Sequence, residues 1–122
     1  MSLVLVVEDD EPLARLIRSL LTISGYEVQI AASVPEAHAA LEAVAPELIV
    51  LDLVLGDESG SDFYTTARQL GYAGKVLICS AFGARHAATQ LGADAWVAKP
   101  FDPEVLLSAV TRLVEETCAR PS

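Results

Sequence analysis

Unbroken apolar runs of strand length constrain this chain most. Leu3–Val7, Leu48–Leu51 and Val76–Cys79 carry no polar residue at alternate positions. A strand with one face in water alternates in polarity, whereas one covered on both faces is apolar throughout. The runs therefore predict strands of a buried parallel sheet. Glu27–Ala31, with Val28 and Ile30 on one face, and Ala95–Ala98 complete a set of five.

The segments between them repeat at helical spacing. Asp10 can cap a helix with Pro12 in its first turn and Leu13, Leu16, Ile17, Leu20 and Leu21 as its stripe, ended by Gly25. Ser33-Val34-Pro35-Glu36 is a capping box, and Ala37, Leu41 and Val44 follow on one face. Gly56 to Gly60 is expected as a turn-rich loop, followed by a helix from Ser61 to Leu70 that stops at Gly71. Ala84–Leu91 is weakly helical, and Asp102-Pro103 opens a last helix with Val105, Leu106, Ala109, Val110 and Leu113 buried. This (βα)5 alternation predicts an α/β fold, a three-layer doubly wound parallel sheet.

Composition narrows the class. At 122 residues and 52% hydrophobic there is room for one core, and disorder is excluded. The domain is expected to span 1–119, with 120–122 a disordered tail or the start of a linker. No apolar run approaches a membrane span, and Met1-Ser2-Leu3-Val4 has no basic leader character, so no membrane association and a cytoplasmic location are expected. Cys79 and Cys118 form neither a metal spacing nor a disulfide framework. A formal charge of −9 repels phosphate backbones, which argues against direct nucleic acid binding by this chain.

In a doubly wound sheet the ligand site lies at the carboxyl ends of the strands. There the sequence places Glu8-Asp9-Asp10-Glu11, Asp52, Ser80 and Lys99-Pro100. Taken singly these are caps, turn formers and a solvated lysine. Together they are costly, because two carboxylates about 4 Å apart repel by about 4 kcal/mol at an effective dielectric near 20. Packing Glu8, Asp9 and Asp52 together calls for a cation. Oxygen-only ligands favour a hard ion, with Mg²⁺ the best match. His38 and His86 fall in helices away from this edge, so zinc is not expected. A neutralised pocket with Lys99 and the Ser80 hydroxyl can hold a phosphoryl group, and a carboxylate is a competent nucleophile toward phosphorus.

Over nearly its whole length the chain resembles the receiver domain of two-component response regulators. The matching residues are Val6-Val7-Glu8-Asp9, Asp52 with Gly60 eight positions later, Ser80-Ala81 and Lys99-Pro100-Phe101. The resemblance implies the flavodoxin-like strand order 2-1-3-4-5. It implies Asp52 as phosphoacceptor, Asp9 as direct Mg²⁺ ligand, Glu8 holding a metal-bound water, and the Val54 backbone carbonyl as a further ligand. Lys99 would bridge Asp9 and the phosphoryl oxygens, Ser80 would be the switching hydroxyl, Trp96 the switching aromatic, and Pro100 would follow a cis bond. The implied partners are a histidine kinase or phosphotransfer protein, and a downstream target or fused output domain. A homodimer through the helix 4, strand 5 and helix 5 region is a further expectation. Such a chain is no enzyme in the ordinary sense, since it catalyses only its own phosphorylation and dephosphorylation.

Two departures stand out. Gly56 occupies a position where the family often has proline. Lys99 follows Ser80 by only 19 positions, about one helical turn fewer than usual, so helix 4 should be short and the signalling face there non-standard. Val54 and Phe82, apolar beside the expected path of an attacking water, predict slow self-dephosphorylation.

Three other readings are weaker. A small Mg²⁺-dependent aspartyl phosphatase would want an acid where Val54 stands. A flavodoxin-like flavin module would want a hydroxyl- and glycine-rich loop where Glu8-Asp9-Asp10-Glu11 stands. A phosphorylation-independent interaction module is argued against by the complete acceptor set. No effector sequence follows Val114–Ser122, so a stand-alone receiver or a fragment of a larger regulator is expected.

Overall fold

A computed structural model describes residues 2–119, with side chains described through Glu116; the expected tail 120–122 lies outside the described residues. Strands β1 (Leu3–Val7), β2 (Glu27–Ala31), β3 (Leu48–Leu51), β6 (Lys75–Ser80) and β7 (Ala95–Ala98) form one parallel sheet in the order β2-β1-β3-β6-β7. This is the flavodoxin-like order expected from the sequence, with β6 and β7 as its fourth and fifth strands. Helices α1 (Glu11–Ile23) and α5 (Pro103–Ala119) cover one face; α2 (Val34–Ala43), α3 (Gly60–Gln69) and α4 (Ala84–Leu91) cover the other.

The apolar strands feed both layers by alternation. Val4, Val6, Leu48 and Val50 join Ile17, Leu21, Leu106 and Leu113, while Leu5, Val7, Ile49 and Leu51 join Ala37, Phe63, Ala67 and Ala88. The helix caps hold, but Leu16 and Val105, expected in the buried stripes, are exposed. Asp10 caps α1 by accepting the Leu13 N–H at 3.2 Å, and Ser33 caps α2 by accepting the Glu36 N–H at 3.3 Å. Helix α4 is short, eight residues between Gly83 and Gly92, with no side-chain cap at its start. It buries only Ala84 and Ala88, so a small apolar stripe anchors it.

Much of the Gly56 to Gly60 segment, expected as a turn-rich loop, belongs instead to a hairpin that begins at Val54. Val54–Leu55 (β4) pairs antiparallel with Glu58–Ser59 (β5) around Gly56-Asp57. Two positions cannot announce a strand by periodicity; only the glycine does, and Gly56 takes φ +65, the left-handed region such a tight turn requires.

Candidate functional site

The chain reverses direction across the sheet between β2 and β3, which lie on either side of β1. Val7 pairs in register with Leu51, and the Asp52 N–H donates to the Val7 carbonyl at 3.0 Å. Glu8 and Asp52 therefore leave adjacent strands side by side. On the other side of β3, the Lys99 N–H donates to the Ser80 carbonyl at 2.9 Å. Among the described residues the buried polar or charged side chains are Glu8, Asp52 and Ser80, all at this one edge.

Their bonds define a compact centre. Lys99 Nζ donates to Glu8 Oε1 at 2.5 Å and to Asp52 Oδ2 at 3.1 Å. Asp52 Oδ1 accepts the Val54 N–H at 3.2 Å, and Glu8 Oε2 accepts the Asp10 N–H at 3.3 Å. Ser80 Oγ donates to the Phe82 carbonyl at 3.3 Å, which holds its hydroxyl within its own loop. Asp9 is exposed, yet carboxylate oxygens of Glu8, Asp9 and Asp52 all lie within 4.8 Å of one another. These residues, with Val54, Gly56, Ala81 and Phe82, line an open cavity of about 450 Å³.

Electrostatics show what the centre lacks. Burial pushes the Glu8 carboxyl up to about 7, the neighbouring Asp52 pushes the same way, and the Lys99 bond opposes both. Burial disfavours the Lys99 ammonium too, but its bonds to Glu8 and Asp52 outweigh that and raise its pKa. Glu8 and Asp52 thus share one amine, with a third carboxylate, Asp9, within 4.8 Å. That imbalance, and an all-oxygen donor set within 4.8 Å, fit a hard divalent cation. Cys79, packed under the site, is pushed up to about 12 by burial and stays an unreactive thiol.

Several expectations change. Lys99 bonds Glu8 and Asp52, where a bridge from Asp9 was expected. The reason is burial: Glu8 is 3% exposed and needs a counter-charge, while Asp9 is solvated. The acids of the first loop do not all converge, because Asp10 caps α1 and Glu11 pairs with Arg15. Glu58 turns away to α2, its Oε1 accepting the Val34 N–H at 3.1 Å. Trp96 stands on the edge strand β7, 45% exposed, beside Val105 and Arg112 of α5. Val54 and Phe82 are exposed at the cavity mouth. The Lys99-Pro100 bond is cis, as expected. His38 lies against Phe63 and lines a separate groove at the other end of the molecule.

Gly60 has a role that spacing alone did not explain. A Cβ there would sit 2.2 Å from the Asp52 carbonyl oxygen and 2.7 Å from Leu53 Cα. Only glycine lets α3 begin directly beneath the strand end that carries Asp52.

The switch point of this doubly wound sheet gathers acids, a lysine and a hydroxyl at one edge. The match to a known family is direct. Residues 4–111 match the response regulator receiver domain, and the chain belongs to that family. It is 33% identical over 115 residues to the alginate biosynthesis transcriptional regulatory protein AlgB of Pseudomonas aeruginosa, covering 92% of this chain and 26% of that protein. It is 29% identical over 119 residues to the phosphate regulon transcriptional regulatory protein PhoB of the same organism, covering 93% of this chain and 52% of that one. Among solved structures, a CheY-like receiver domain from Methanospirillum hungatei superposes with a TM-score of 0.88 at 28% identity, covering 96% of each chain. The chain thus spans about half, or less, of the length of these two transcriptional regulators. No helix among the described residues is long and apolar enough to cross a membrane.

Proposed function

We propose that this chain accepts a phosphoryl group on Asp52 from a histidine kinase or a phosphotransfer protein, with Mg²⁺ held by Asp9, Asp52, the Val54 carbonyl and, through water, Glu8. The observation that carries the reading is the convergence of three carboxylates within 4.8 Å around a single lysine bonded to Asp52. When bound, the cation neutralises the acids and offsets charge building on the phosphoryl oxygens. Asp52 is nine-tenths buried yet opens to the cavity, so one carboxylate oxygen can approach phosphorus in line. The phosphorus–nitrogen bond of the donor breaks as the Asp52 oxygen–phosphorus bond forms, and the imidazole leaves.

Lys99 is already placed to follow the charge, since it sits 3.1 Å from Asp52 Oδ2. Ser80 is held by its own loop in this state and is the hydroxyl free to turn toward a dianion beside it. That turn pulls on the Ser80–Phe82 segment, which leads into the weakly anchored α4, and Trp96 moves inward on β7. The outer face of β6, β7 and α5 then changes population, for a downstream target, a fused output domain or a second copy. The longer relatives support a fused output.

The test is a mass measurement after incubation with Mg²⁺ and an acyl phosphate donor. One phosphoryl group is expected on the wild type, none on Asp52→Asn, and none in the presence of EDTA. Phosphorylation that persists in Asp52→Asn overturns the reading.

A further inference from the structure

The β4–β5 hairpin forms the rim of the site, and its sequence makes it soft. It has two residue pairs, a two-residue turn, and Leu55 as its buried side chain. Gly56 puts no side chain at the first position of the turn, and the position a Cβ would take lies 3.9 Å from Asp9 Oδ2. At Gly56 the turn therefore approaches the exposed carboxylate without a side-chain contact. Glycine also widens the freedom the segment must lose to hold one shape.

One polar contact ties this rim to α2, besides the Ser59 Oγ that accepts the Asp62 N–H of α3 at 3.2 Å. Glu58 Oε1 accepts the Val34 N–H at 3.1 Å, across 24 positions of sequence. The Val34 amide belongs to the first turn of α2, where N–H groups have no partner within the helix and the dipole favours a carboxylate. Ser33 already serves the Glu36 amide, so Glu58 supplies an acceptor that the local cap does not. The corner it grips is itself fixed to the site, because the Ala31 carbonyl at the end of β2 accepts the Glu8 N–H at 3.0 Å.

We propose that Glu58 is a positioning residue for the cation site: its bond to Val34 clamps the hairpin to α2 and holds Val54 and Gly56 over Asp9. This rests on the reading that the site takes Mg²⁺. Glu58 touches neither metal nor phosphoryl group and acts only through the hairpin. In this chain it takes over bracing that a stiffer residue at position 56 would give.

The bond can be cut from either side. Glu58→Ala removes the acceptor, and Glu58→Gln keeps a neutral one. Val34→Pro removes the donor at the first helical position, where proline is well tolerated, and Ser33 before it is already extended at φ −151 and ψ 166. Calorimetric titration with Mg²⁺ should show affinity about three- to tenfold weaker in Glu58→Ala, at or below the loss typical when a partner bonding a ligand directly is removed. Glu58→Gln should recover most of it. Val34→Pro should reproduce the loss, and the double variant Glu58→Ala/Val34→Pro should add nothing further. In metal-free protein, amide exchange at Gly56 and Asp57 should quicken in Glu58→Ala. Ser33→Ala should lower stability without moving Mg²⁺ affinity, which separates positioning from capping. Should Glu58→Ala not fold, Val34→Pro and Glu58→Gln carry the same comparison. Wild-type affinity in Glu58→Ala, or losses that multiply in the double variant, would overturn the proposal while leaving the functional reading intact. If the wild type itself takes up no Mg²⁺, that reading falls and the proposal with it.

Discussion

The two ends of the sheet each carry a charged cluster, and they are built on opposite terms. At the amino end Arg68, Lys75 and Arg112 pair with Asp94 and Glu116. Arg68 lies over the rings of Tyr64 and Tyr72 and donates to the Tyr72 and Gly74 carbonyls at 3.0 and 2.7 Å. Asp94 accepts the Val76 N–H at 2.9 Å. Every group there has a partner of opposite sign, so the cluster staples two loops to β6. At the carboxyl end Glu8 and Asp52 share one lysine beside a third carboxylate, Asp9, and Glu8 is pushed toward neutrality. Compensated charge marks structure, and uncompensated charge marks a site that awaits a ligand. Cavity size gives the opposite hint. The amino-end groove between α2 and α3 is the larger, about 580 Å³ against about 450 Å³, but its walls are mostly apolar.

Three measurements press on this contrast. The largest effect is expected from Gly60→Ala at the site end, because the new Cβ has no room beside the Asp52 carbonyl. Urea unfolding should show a loss of about 3 kcal/mol, as for an overpacked core position. Mg²⁺ binding should weaken with it, since the strand end that carries Asp52 must shift.

Asp94→Ala should cost less, about 2 kcal/mol, by leaving the Val76 amide and two cations short of a partner. Its Mg²⁺ affinity should equal that of the wild type. A change in affinity would mean that the two ends are coupled.

The smallest effect is in pH. In metal-free protein the folded state keeps the Glu8 proton up to about 7, whereas an ordinary carboxyl loses it near 4.5. Between those values the folded state binds the extra proton, so stability falls as pH rises and levels off above about 7. Asp9, Asp52 and Lys99 are the charged groups that face it. Urea midpoints measured in EDTA across this window should show the decline, and Glu8→Gln should flatten it.

Much of this was legible in the sequence because the signals are local. The aliphatic runs gave β1 and β3 to the residue, and Asp10 and Ser33 named their caps. The short span from Ser80 to Lys99 foretold the eight-residue α4. Each of those follows from backbone geometry within a few residues. The hairpin at Val54–Ser59 is not legible because two-residue strands have no periodicity, nor is the turn of Glu58 toward α2, because spacing cannot say which way a side chain points.

The sequence by itself determined the alternation of strands and helices, the doubly wound class, and the residues that stand at the strand ends. Tertiary structure decided which of those residues meet. The approach of β1 to β3 put Glu8 beside Asp52, and burial there drew Lys99 to Glu8 in preference to Asp9. The close passage of α3 under Asp52 made Gly60 obligatory, and the corner of β2 and α2 claimed Glu58. The physical reason is range. Strand and cap preferences act along the chain, whereas desolvation and charge pairing depend on groups brought together from 24 to 91 positions apart.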